Sequence, residues 1–189
     1  PDGRIAWLLV LATVPAALVG AIFEEQIDTV LGEPWIIAVS LIVFGIVLWW
    51  ADQKLGNRVI DGMTTRDALT IGAAQALALN PGTSRSGITI TAARAIGFER
   101  DAAARISFLM SLPVITGAVV LKMGRLIIDG IPDGMAGAMA VGIVTSGISG
   151  WFAVWGTLRL IRTRSFMPFV VYRVLAGIAV LIIIAAGWR

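Results

Sequence analysis

The chain has 189 residues, 58% of them hydrophobic and 14% charged, with a mean hydropathy of +0.89. Soluble domains carry about 25% charged residues, so this composition belongs to a membrane protein. Cysteine and histidine are both absent, which excludes disulfides, thiolate metal sites and histidine acid–base chemistry.

Taken in order, residues 5–23 form an uncharged run long enough to span a bilayer. It contains Pro15, an expected kink, and Gly20. Residues 24–34 form an acidic connection with Glu24, Glu25, Asp28 and Glu33. A second span, 35–51, is bounded by Trp35 and by Trp49-Trp50, the pattern of interfacial belts. Residues 52–67 are polar, and Thr64, three residues before Asp67, suits a helix N-cap. Further spans are expected at 106–121, interrupted by Pro113 and Gly117, at 134–158, and at 166–188 with Arg173 near its beginning. Nothing at Pro1-Asp2-Gly3-Arg4 resembles a cleavable signal, and the chain starts without an initiator methionine, so it reads as a fragment.

Between the second and third spans lies Asn80-Pro81-Gly82-Thr83-Ser84-Arg85-Ser86-Gly87-Ile88-Thr89, a polar loop between two short apolar arms, Ala68 to Leu79 and Ile88 to Ile96. Proline and glycine forbid a continuous helix through it. An arm of about 12 helical residues is about 18 Å long, too short for a hydrocarbon core of about 30 Å. Gly97 suits a stop for the second arm. The positive-inside rule puts Lys54/Arg58/Arg66, Arg94/Arg100/Arg105 and Arg159/Arg162/Arg164 on the cytoplasmic side, and loop 24–34 outside. Five spans satisfy this only if residues 67–98 start and finish on the same side, as a re-entrant hairpin with its loop near mid-membrane. The fold class expected is an all-α polytopic bundle with a re-entrant helix-loop-helix. Val14-Pro15/Gly20-Ala21 is echoed by Leu112-Pro113/Gly117-Ala118, which suggests inverted repeats, with 1–66 a remnant of the first and 67–189 the second.

An arginine at mid-membrane needs a partner, water or an anionic ligand. Arg85 has hydroxyls at Thr83, Ser84, Ser86 and Thr89 around it, glycines at 82 and 87, and no carboxylate in the loop. With the free N–H groups of a helix start, these residues describe a phosphate cradle. The alternative is that Ser84 or Ser86 merely caps the second arm while Arg85 snorkels. Gln75 on the first arm is a supporting candidate, an inter-helix hydrogen bond being its plainer role; packing is the plainer role of Ser107 and Ser111 too. Arg173 reads as a snorkelling interfacial residue, and Glu24, Glu25 and Asp52 as solvated or interfacial.

Pro81-Gly82-Thr83-Ser84-Arg85-Ser86-Gly87-Ile88-Thr89 resembles the PGxSRSGxT signature of the bacterial undecaprenyl-diphosphate phosphatases, also called bacitracin-resistance phosphatases. The flanks agree: Ala74 to Leu79 before it, then Ala103 to Leu109 with Leu112-Pro113. The resemblance covers essentially the whole chain, as the C-terminal two-thirds of the family. It implies a multi-pass inner-membrane hydrolase with interlocked inverted repeats and a site facing the periplasm. Such an enzyme converts undecaprenyl diphosphate to the monophosphate, recycles the lipid carrier for cell-wall synthesis and confers bacitracin resistance. It implies Arg85 and Ser84 as catalytic candidates, and Gly82, Thr83, Ser84, Arg85, Ser86, Gly87 and Thr89 as diphosphate-binding. A divalent cation, Mg or Ca, is implied as cofactor with ligands outside this chain. The family's glutamate-rich helix and Ser-Ser-Thr-Gly-His loop are absent from the sequence, so the chain alone is expected to be weakly active or inactive. The lipid substrate is the expected partner, nucleic acid is not, and a homodimer is left open. A transporter or flippase of the same lipids is the alternative function, and a structural membrane subunit a third.

Overall fold

Thr64 and Gly97 punctuate the chain as their chemistry requires. Thr64 Oγ1 accepts from the Asp67 backbone N–H while the Asp67 carboxylate accepts from the Thr64 N–H, a reciprocal cap. Gly97 takes φ +93 just past a helix end, a conformation that disfavours other residues. The computed structural model describes residues 2–130, 134–163 and 165–187; at 2, 24–30, 125 and 161–163 it describes the backbone alone. Arg164, Trp188 and the side chains of Glu24, Glu25, Asp28 and Arg162 therefore lie outside the described residues.

Seven α-helices follow in order: α1 Asp2–Val30, α2 Pro34–Asp52, α3 Thr65–Ala76, α4 Arg85–Ala95, α5 Arg100–Asp129, α6 Ala136–Thr163 and α7 Met167–Ala185. Five are long and apolar enough to cross a membrane, and α3 and α4 are not among them. The all-α polytopic fold expected from the sequence is the one observed. Several boundaries differ. Residues 24–30 continue α1 beyond a break at Phe23 (φ −114, ψ 20), so the acidic connection is largely helical. The non-helical backbone of α1 is at Phe23; Pro15 lies inside the helix. α5 begins at Arg100 and runs to Asp129, overshooting its apolar run at both ends, because Leu121-Lys122-Met123 and Arg125-Leu126 are good helix formers. For the same reason α6 runs beyond its apolar run to carry Arg159 within the helix.

The two ends of the α3–α4 segment lie side by side. Arg58 N–H donates to Gly97 O at 3.1 Å, and Glu99 N–H donates to Arg58 O at 3.0 Å. α3 and α4 also pack on each other, so 58–98 is a closed hairpin whose tip is the loop at 80–84. α1 packs along α3 and α2 along α7, while α4 touches both α2 and α5. Small residues permit this closeness: a Cβ on Gly72 of α3 would collide with the Ala12 carbonyl of α1, and one on Gly177 of α7 would lie 2.6 Å from the Ala38 carbonyl of α2. Exposed faces are apolar, with Trp7, Ile127, Ile128, Val141, Ile143 and Ile182 among the most open. That inversion of the soluble pattern suits a lipid solvent.

Buried charge gathers at the closed end of the hairpin. Asp52, only 3% exposed, accepts from Arg100 Nε at 2.6 Å, Arg100 Nη2 at 3.2 Å and the Phe166 backbone N–H at 3.2 Å. Arg94 lies 3.7 Å away and donates to the carbonyls of Phe98, Asp52 and Lys54. Asp52 thus joins the end of α2 to the starts of α5 and α7, which corrects its reading as a solvated loop residue. Nearby, Arg58 pairs with Asp67 in two hydrogen bonds, 3.0 and 2.5 Å. Burial of Asp67 works against its ionisation, but hydrogen bonds from Arg58 and Thr64 outweigh it and hold the carboxyl below its ordinary 3.8. The folded state therefore holds this proton less tightly than the unfolded chain. The carboxylate stabilises the fold above that ordinary value and loses its contribution as pH falls through the lowered folded value. Denaturation midpoints in detergent should show wild type losing stability below about pH 4, with Asp67→Asn less stable near neutrality and flatter across the acid range. Parallel acid curves for the two proteins would contradict this.

Candidate anion site at the hairpin tip

The tip is built from turn chemistry and seated on α2. Thr83 N–H donates to Asn80 O at 3.2 Å, and Gly82 supplies φ +88. Gly82 also lies so close to the Ile37 carbonyl that a side chain there would collide. Asn80 Nδ2 donates to Ser40 Oγ of α2 at 2.8 Å and to Thr83 Oγ1 at 3.3 Å. Ser40 is 12 residues from Asp52 on α2, which places the tip about 18 Å along that helix from the buried charge cluster.

Ser84 then makes the change of direction into α4. Its φ of +68 is the single positive value at a non-glycine among the described residues, a backbone state costing about 1–3 kcal/mol and common at functional sites. Its Oγ caps α4 by accepting from Gly87 N–H at 3.2 Å. Thr83 is fully buried, with its Oγ1 accepting from Asn80. Thr89, 1% exposed, has its Oγ1 within hydrogen-bond distance of Arg85 O at 2.9 Å and of Ser107 Oγ at 2.7 Å, its single proton serving one of the two. Ser107 in turn donates to Ser86 O at 3.4 Å. Thr83 and Thr89 therefore brace the loop from behind, and Ser107 ties α4 to α5.

A cavity of about 300 Å³ opens beside the tip, lined by Ser84, Ser86, Gly87 and Arg173 with apolar walls from α2, α4, α5 and α7. Arg85 is half-buried at the start of α4 and has no hydrogen-bond or ion-pair partner among the described residues; it lies outside this lining. Gln75 is buried on α3, and its Oε1 has no hydrogen-bond partner among the described residues.

Arg173 is where the structure departs most from the sequence reading. It does not snorkel. It is 6% exposed, and its Nη2 donates to Gly82 O at 2.9 Å and Thr83 O at 2.7 Å. A Cβ on Gly87 would fall 2.5 Å from Nη1, so that amino group lies against the first turn of α4. Its Nε and Nη1 are buried with no partner among the described residues, and no described carboxylate pairs with it. Phe166 marks the charge cluster, and Arg173 is seven residues further along, about 10 Å on. The signal was present in the sequence: an arginine in an apolar run without a carboxylate, the same argument that singled out Arg85.

The cavity is bordered by one buried guanidinium, that of Arg173, by serine hydroxyls and by the first turn of α4, the chemistry that suits an oxyanion, with Arg85 at the same helix start but outside the lining. No described carboxylate lines the cavity; Asp52 and Asp67 are engaged elsewhere. A divalent cation does not fit the residues described, among which no three carboxylates gather.

Comparison with known sequences decides the family. The bacitracin resistance protein BacA family matches residues 1–179. The chain belongs to that family. It is 45% identical over 181 residues to an undecaprenyl-diphosphatase of Elusimicrobium minutum, covering 96% of this chain and 68% of the relative. It is 47% identical to an undecaprenyl-diphosphatase of Pelobacter propionicus, covering 99% and 69%. A third, from Geobacter sulfurreducens, is 49% identical, covering 94% and 67%. Family and apolar helices together make this a multi-pass membrane protein.

The cap and the strain at Ser84 separate by substitution. Ser84→Ala loses the cap and keeps the strained φ, and should cost about 1 kcal/mol or more in detergent unfolding. Ser84→Gly relieves the strain and should cost only a few tenths. Equal losses would show that the cap geometry is not what the hydroxyl secures.

Proposed function

We propose that the chain hydrolyses undecaprenyl diphosphate to undecaprenyl phosphate and inorganic phosphate, the activity for which its relatives are named. The observation that carries this is the buried Arg173 guanidinium, unpaired on its Nε and Nη1 beside Ser84, Ser86 and the first turn of α4. A buried cation without a counter-charge is costly unless an anion arrives to complete it. Arg173 holds the diphosphate in the cavity, the helix start and serine hydroxyls take up its remaining oxygens, and Arg85, outside the lining but at the same helix start, adds a second positive charge. Water adds to the terminal phosphorus as its bond to the bridging oxygen breaks; undecaprenyl phosphate leaves with that oxygen, the water proton passes to solvent or to the released phosphate, and the guanidinium groups stabilise charge on the phosphoryl oxygens. Ser84 is held beside the reacting group by its cap. The described residues supply binding and charge stabilisation, and no general base among them faces the cavity.

We place the protein in the bacterial inner membrane, with the hairpin re-entrant and its tip opening towards the periplasm. Support comes from the closed end of the hairpin, where Arg58, Arg94 and Arg100 cluster as cytoplasmic charges do. Residues 1–66 and 67–189 are read as parts of two repeats of opposite orientation. Recycling of the lipid carrier, and with it bacitracin resistance, follows from the reaction.

Phosphate release from undecaprenyl diphosphate by the purified protein in detergent tests the reading. Arg85→Lys and Arg173→Met should each lower kcat/KM by on the order of 100-fold or more, since a lysine lacks the planar fork and a methionine lacks the charge. Unchanged hydrolysis would remove that arginine from the site, and flux of lipid phosphate across proteoliposomes without phosphate release would favour a carrier.

A further inference from the structure

A lipid diphosphate has an apolar end as well as an anionic one, and the cavity beside the hairpin has walls for both. Apart from Ser84, Ser86, Gly87 and Arg173, its lining is mainly apolar, with Leu41, Leu48, Ile90, Phe166 and Phe169 prominent. At about 300 Å³ it is at the small end of ligand pockets, too small for a polyprenyl chain of eleven units. A second groove of about 500 Å³ lies between α5 and α6, lined by Leu109, Leu112, Val154 and Leu158 with Arg105 and Ser111. Phe108 lines both spaces. On the facing helix, Thr157 lines the first and its neighbour Leu158 the second. Half-buried Phe108 on α5, with neighbouring residues of α6 facing it, therefore borders both spaces along one helix seam.

We infer that the isoprenoid chain of the substrate leaves the anion site through this cavity and passes Phe108 into the α5–α6 groove, with Phe108 setting how well a long chain is accepted. The inference rests on the phosphatase reading and adds the apolar half of the same substrate. Continuity with the anion site argues for this occupant: Ser84, Ser86 and Arg173 border the same space as the apolar walls. The order of the walls matches the order of the ligand, charged head first and hydrocarbon after. The Arg105 guanidinium is paired with Asp101 at 2.6 Å and so is engaged at the groove without needing an anion there. That leaves hydrocarbon as the chemistry the groove selects.

Two measurements test this on the purified membrane protein. Phe108→Trp narrows the passage and Phe108→Ala widens it. KM values for undecaprenyl and farnesyl diphosphates, read on the same preparation, serve as internal controls for folding. The tryptophan variant should raise the ratio of the undecaprenyl KM to the farnesyl KM about tenfold, with the effect in KM because binding away from the reacting bond is lost. A ratio unchanged in both variants overturns the inference. Independently, a polyprenyl monophosphate bearing a diazirine near its tail should cross-link to the segments around Phe108–Leu112 and Val154–Leu158. Labelling spread evenly over all the apolar helices, as an ordinary bilayer lipid would give, overturns it. If neither diphosphate is hydrolysed but the cross-links fall on the seam, the phosphatase reading fails and the chain path stands.

Discussion

The two hydrogen bonds between Arg58 and the backbone at Gly97 and Glu99 fix everything that follows. They hold the start and finish of a segment of some forty residues at one point. Two helices too short to span are thereby forced to go out and come back. Because the ends are joined, the loop between them must be the far point of the excursion. Asn80 and Gly82 then fasten that far point to α2 at Ser40 and Ile37. A backbone that turns at membrane depth is tolerated where protein buries it or a cavity solvates it, and the hairpin proposed as re-entrant has both a protein seat on α2 and a cavity beside its tip.

The buried charges divide into two groups with different purposes. At the closed end of the hairpin, Asp52 and Asp67 pair with Arg100 and Arg58, while Arg94 donates to carbonyl oxygens from both amino groups and its Nε lies 3.7 Å from the Asp52 carboxylate without a hydrogen bond. Removing one member of such a group strands the other, so these contacts hold the ends of α2, α4, α5 and α7 in place. At the tip, Arg173 has carbonyl partners on one amino group only, and Arg85 has none among the described residues. Carboxylates lie among the arginines at one end and no described carboxylate pairs with the arginines at the other, and that difference separates the scaffold from the proposed site. Ser84 belongs with the second group, since its positive φ is a local cost that the clamp of Arg173 on Gly82 and Thr83 keeps in being.

Much of this was legible in the sequence because hydropathy and helix punctuation report local physics. Residues 35–51 are α2 almost to the residue, since Pro34 starts the helix and the apolar run ends where the helix does. Thr64 and Gly97 were readable because a cap and a left-handed stop need particular residue types. The extents of α1 and α5 were not, because charged turns at 24–30, 100–105 and 122–129 remain helical without being apolar. The hydroxyl-rich loop pointed to an anion, but which hydroxyls face the cavity depends on the neighbours: Ser107 draws Thr89 away, and Asn80 engages Thr83. Arg173 and Asp52 were misjudged for one reason. Position near the end of an apolar run says nothing of which helix lies beside the residue, and in both cases that neighbour decides the burial.

The account depends most on the hairpin turning back inside the bilayer with its tip opening on the side opposite its joined ends. The chain contains no cysteine, so single cysteines report their surroundings without background. Ser86→Cys at the tip and Leu55→Cys beside the charge cluster should be challenged with a membrane-impermeant maleimide in vesicles of both orientations. The account predicts labelling of the two positions from opposite faces, with inorganic diphosphate slowing the reaction at position 86 only. Labelling of both from the same face would contradict it.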